Sequence, residues 1–175
     1  MSNANQGFLE PIIAGIQNFF DRMRPDPGRE TARRQQALRR AVTGLLLEMA
    51  FTDFGDGVAD DARRDTKMRA TRRLVGEYFQ LPDSSAAALV EDLSRPQNRY
   101  TSYFEPVALI NKHFSAQQKV DLIRQLWQVA FADGEADPYE DHYVRKIAEL
   151  TYVSHTDFIS AKLEVQAAAD GGSAA

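Results

Sequence analysis

Four acidic residues crowd one short stretch of this chain: Asp133, Glu135, Asp137 and Glu140, within Ala130-Phe131-Ala132-Asp133-Gly134-Glu135-Ala136-Asp137-Pro138-Tyr139-Glu140. Carboxylates are hard oxygen ligands, so the chemistry open to them is divalent-cation binding, suited to calcium or magnesium rather than zinc or copper. Paired carboxylates can also serve as acid and base in hydrolysis, given a cleft and one raised pKa. The competing reading is architectural. Asp137 can cap a helix, Pro138 fits its first turn, Glu140 completes a capping box, and Gly134 can take the positive φ that ends the helix before. The stretch is too short for an EF-hand loop and lacks its alternating ligands, so an ion would need oxygens from a second turn as well.

Two helices must position this corner. Val120, Ile123, Leu126, Trp127 and Ala130 precede it, and Tyr143, Val144, Ile147, Leu150 and Thr151 follow it, at the steps that put apolar side chains on one helix face. The same periodicity predicts a helix over 8–23, marked by Phe8, Ile12, Ile16 and Phe19, then Arg24-Pro25-Asp26-Pro27-Gly28 as a linker. A second helix over 31–51 turns Leu38, Val42, Leu45, Leu46 and Met49 inward. A third over 62–80 turns in Met68, Thr71, Leu74, Val75, Tyr78 and Phe79. Leu81-Pro82-Asp83-Ser84 stops it and caps a short helix to about Leu93, and Arg95-Pro96-Gln97-Asn98 reads as a loop. A fifth helix covers 100–114, with Pro106 in its first turn or as a kink. Ser115 with Gln118 opens the next, and Ser154-His155-Thr156-Asp157 caps a last helix through about 168.

No alternating strand pattern of useful length occurs, so the expected fold is all-α, a single domain of about seven or eight helices. Its divisions are an amphipathic helix with a Pro-rich linker (1–30), the helical domain (31–168) and a flexible tail (169–175).

Composition narrows the function classes. The chain has 175 residues, 43% of them hydrophobic, with a net charge of −4. Residues 1–99 hold 15 basic and 14 acidic side chains and residues 100–175 hold 6 and 11, which leaves an acidic C-terminal surface suited to cations or a basic partner. Arg33, Arg34, Arg39 and Arg40 on the second helix, and Arg63, Arg64, Lys67, Arg69, Arg72 and Arg73 on the third, read as solvated outer faces. No aromatic residues are interleaved among them for base stacking, so nucleic acid is not an expected partner. Absence of cysteine excludes thiolate chemistry. His113, His142 and His155 stand at no metal-ligand spacing and read as surface or boundary residues. The apolar face of 8–23 needs cover from its own domain or from a second copy, which makes a homodimer through this helix one expectation. With no signal-like or membrane-spanning stretch, the chain reads as soluble and cytoplasmic.

A weak internal repeat crosses this plan. Glu48-Met49-Ala50-Phe51-Thr52-Asp53 matches Gln128-Val129-Ala130-Phe131-Ala132-Asp133, and each leads through an acidic, Gly-containing turn into a further helix, as two pseudo-repeated hairpins would. One register sets Lys67 at the place of Glu140; another sets Asp60 there. On "VAFADGEADPYEDHYVRKIAELTYVS" at 129–154, "LLLEMAFTDFGDG" at 45–57 and the helices between, the chain resembles the TerB-like family, related to tellurite-resistance protein B, over roughly 38–165. The resemblance implies an all-helical domain of two similar hairpins, acidic turns proposed to hold a metal ion, a role in stress or tellurite-resistance systems, and protein partners at the inner membrane. Carried onto this sequence, it makes Asp133, Asp137 and Glu140 the matching acidic positions, with Asp53 or Asp56 contributing from the other turn and Glu135 adjacent.

The expected function is therefore a non-enzymatic helical interaction module with a divalent-cation site at its acidic turn. The alternative is a metal-dependent hydrolase working at the same corner.

Overall fold

Apolar spacing and local caps decide where each helix runs. The computed structural model describes residues 27–51 and 58–172. Among these lie seven α-helices and no strand: α1 (Pro27–Phe51), α2 (Val58–Phe79), α3 (Asp83–Ser94), α4 (Phe104–His113), α5 (Ala116–Ala130), α6 (Pro138–Leu150) and α7 (His155–Gly172). Pro96–Asn98 and Phe131–Asp133 form single 3₁₀ turns. The predicted helix over 8–23 and the homodimer surface assigned to it lie outside the described residues. The chain divides into two units, 1–36 and 37–175. The described part of the first is the exposed opening of α1, and α2 to α7 belong to the second.

Several boundaries differ from the sequence expectation for local reasons. Helix α1 starts at Pro27, because the fixed φ of proline suits a first turn where no N–H bond is needed. Pro106 sits in the first turn of α4 for the same reason and does not kink it. Asp83 is not a cap: the residue before α3 is Pro82, with no side-chain cap bond, and Asp83 instead accepts from Arg72 Nε at 2.8 Å. Helix α7 continues to Gly172, beyond the predicted end.

The capping box at Ser115 forms as read. Ser115 Oγ accepts the Gln118 N–H at 3.2 Å, and Gln118 Oε1 accepts the Ser115 N–H at 2.9 Å. Helices α2 and α6 end alike. Gln80 (φ 51°) and Tyr152 (φ 61°) both turn left-handed, and the following N–H groups of Leu81 and Val153 reach back to the carbonyls of Gly76 and Ala148 at 2.9 Å each.

The core lies around Trp127, which is fully buried on α5 among Leu46, Met49, Leu126, Val144 and Ile147. Its ring stacks on Phe131 at 5.7 Å between centroids and meets Phe158 of α7 at 5.5 Å. Tyr143 on α6 donates its buried hydroxyl to the carbonyl of Leu45 on α1 at 2.8 Å, pinning the two helices together. Asn111 on α4 donates to the Leu150 carbonyl at 2.8 Å and so covers the end of α6. These contacts hold α5 and α6 against α1, α4 and α7.

Candidate functional site at the α5–α6 corner

Helix α5 closes in the Phe131–Asp133 turn, and Gly134 takes φ 119°, a conformation that L side chains rarely adopt. The chain then reaches Asp137, the N-cap of α6. Asp137 Oδ1 accepts the N–H groups of Tyr139 (2.7 Å) and Glu140 (2.9 Å), while Glu140 Oε2 accepts the Asp137 N–H at 2.9 Å. Both halves of the capping box are therefore made.

Glu140 does more than cap. It falls on the same inward stripe as Tyr143, Val144 and Ile147, and its side chain is only 1% exposed. Opposite it, Lys67 of α2 is equally buried and donates through Nζ to Glu140 Oε1. The same ammonium lies 3.3 Å from Asp133 Oδ2, and Asp133 also has the Arg63 guanidinium at 3.9 Å. The expectation that Lys67 belongs to a solvated outer face is corrected here. Its neighbours on the inward stripe are Thr71, Leu74 and Val75, all buried, and four-residue spacing carries Lys67 into the core with them. Elsewhere in that row, half-buried Arg64 pairs with Asp61 at 3.0 Å and exposed Arg73 with Glu77 at 3.3 Å.

Burial pushes the Glu140 carboxyl above its ordinary range, against the opposing pull of the Lys67 bond and the Asp137 N–H. The sequence-predicted ligands divide accordingly. Asp133, Asp137 and Glu140 come together at the corner, Glu135 is exposed beside it, and Asp53 and Asp56 lie outside the described residues. Among the described residues, no three of His, Asp or Glu converge as a metal cluster.

A calcium ion takes roughly six to eight oxygen ligands. Here one Glu140 oxygen and one Asp133 oxygen face an ammonium, and the other Glu140 oxygen and Asp137 Oδ1 accept backbone N–H groups. Asp133 Oδ1 is buried and has no hydrogen bond. A donor set with an ammonium already seated in it is a poor match for calcium.

The family model described as tellurite resistance protein TerB matches residues 39–163. The chain belongs to the TerB family. No curated protein and no solved structure matches it. In this TerB-family chain the match takes in both partners of the buried pair, Lys67 and Glu140, together with the capped start of α6. Sequence reasoning found the acidic residues but missed the lysine that meets them. The missing signal was present in the helical stripes of α2 and α6, which carry Lys67 and Glu140 inward. Histidines contribute nothing to the corner: His142 and His155 are exposed and His113 is half-buried on α4. Among the described residues no helix is long and apolar enough to cross a membrane.

Proposed function

We propose that this TerB-family chain serves a tellurite-resistance-type system as a non-enzymatic helical interaction module whose acidic corner is closed by its own lysine. The observation that carries this reading is the buried contact of Lys67 Nζ with Glu140 and Asp133. A lysine ammonium supplies positive charge where a divalent cation would otherwise bring it, and does so from within the fold. Glu140, with each oxygen already hydrogen-bonded and its side chain 1% exposed, is shut away from solvent, which does not suit a general base. The acidic outer rim, including Glu135, remains available to a basic protein partner. A second reading has one observation behind it. The buried, unpartnered Asp133 Oδ1 is an acceptor that a calcium or magnesium ion could use.

The test is complementation. A host that depends on this chain for growth on potassium tellurite is given the wild type, Glu140→Gln, or the neutral corner Lys67→Met/Asp133→Asn/Glu140→Gln. Variants that fold should restore growth as the wild type does. Loss of tolerance by a folded Glu140→Gln protein would overturn the module and favour the hydrolase.

A further inference from the structure

Away from the corner, Leu45, Leu47, Leu93 and Pro106 join the rings of Phe51, Tyr100, Tyr103 and Tyr143 around a cavity of ≈ 320 Å³. That volume lies at the compact end of small-molecule sites, which begin at roughly 300 Å³. Among the described residues one cation lines it, Arg99. The Arg99 guanidinium lies flat over the Phe51 ring, 3.3 Å from the centroid. Stacking of this kind leaves the in-plane N–H groups open. The Arg99 side chain makes no hydrogen bond or ion pair to a described residue, and because its Nε is sealed from solvent, the terminal Nη groups are the donors that a ligand can reach. A carboxylate accepts from two terminal guanidinium N–H groups at once.

The walls are built for a flat apolar body. Gly44 is what lets Tyr100 lie against α1: a Cβ there would come within 2.7 Å of the ring. Tyr103 and Tyr143 meet edge to face at 5.6 Å, and the Tyr143 hydroxyl is already committed to the Leu45 carbonyl, so this wall presents ring carbon. Burial raises the Tyr103 and Tyr143 phenols, and the charge of Glu48, which also lines the cavity, adds to that rise. Its charge disfavours a second anionic group on the ligand.

We infer that this cavity is a binding site for a compact aromatic monocarboxylate, held by Arg99 through its carboxylate and by the tyrosine walls through its ring. The site is independent of the acidic corner and of the function proposed for it.

Calorimetric titration of the full chain with phenylacetate tests this, with phenylacetamide and 1,4-phenylenediacetate as comparators. Phenylacetate should bind saturably, and the amide and the diacid each at least about tenfold more weakly. Arg99→Gln should lose about tenfold or more in affinity while keeping the wild-type melting point. Gly44→Ala, which displaces Tyr100, should weaken phenylacetate and phenylacetamide alike. Absence of binding below about 1 mM, equal binding of acid and amide, or full affinity in Arg99→Gln would overturn the assignment.

Discussion

Lys67 and Glu140, 73 residues apart in the chain, meet as a hydrogen-bonded ion pair with both side chains 1% exposed. The pair joins α2 to the start of α6, and Asp133, in the 3₁₀ turn that follows α5, completes it. Buried pairs return little net stability over an apolar equivalent, but removing one partner leaves a charge in the core. Lys67→Met strands two carboxylates and should cost about 3–5 kcal/mol in urea unfolding. Adding Asp133→Asn and Glu140→Gln should restore most of that loss. A Lys67→Met protein as stable as the wild type would mean that the pair is solvated in solution.

Glu140 and Asp141, adjacent in sequence, titrate in opposite senses. Burial raises Glu140 above its ordinary 4.5. Its contribution to stability is therefore full below the unfolded value and lost as pH rises through the folded one. Burial pushes Asp141 upward as well, yet the bonds and charges of Lys162 and Arg145 outweigh it and hold the carboxyl below 3.8. That contribution is present above the unfolded value and lost as pH falls through the folded one. Measured by urea unfolding across roughly pH 3–7, the wild type's advantage over Asp141→Asn should shrink on acidification. Its advantage over Glu140→Gln should shrink as pH rises, and parallel profiles would contradict both assignments.

Asp137 has a capping role that can be separated from its charge. Asn accepts the Tyr139 and Glu140 N–H groups about as well as Asp does, whereas Ala accepts neither. Asp137→Asn should melt within a few degrees of the wild type, and Asp137→Ala should lose about 1 kcal/mol. Equal loss in both variants would show that the charge of Asp137, rather than its cap, supports α6.

Much of this architecture is legible in the sequence because it is written in local terms. Ser115 with Gln118 and Asp137 with Glu140 specify helix starts by hydrogen bonds three residues long, and Val120 to Ala130 specifies a buried face by period alone. What could not be read locally depends on which elements meet. In sequence Lys67 is one more member of a basic row, with Arg64, Arg69 and Arg73 around it. Its burial follows from Glu140 arriving opposite on a helix far along the chain. The cavity has the same character. Arg99 and Phe51 carry no motif, and only the packing of the Tyr100–Tyr103 turn on α1 brings them together.

The central claim is that Lys67 already supplies the cation at the corner, and calorimetric titration of the wild-type chain with calcium, magnesium and manganese tests it most directly, paired with melting at saturating ion. The account predicts no saturable heat and an unmoved melting point for all three. Saturable binding that stabilises the protein by roughly 2.7 kcal/mol at 100 times the dissociation constant, and that disappears in Asp133→Asn and in Glu140→Gln, would contradict it.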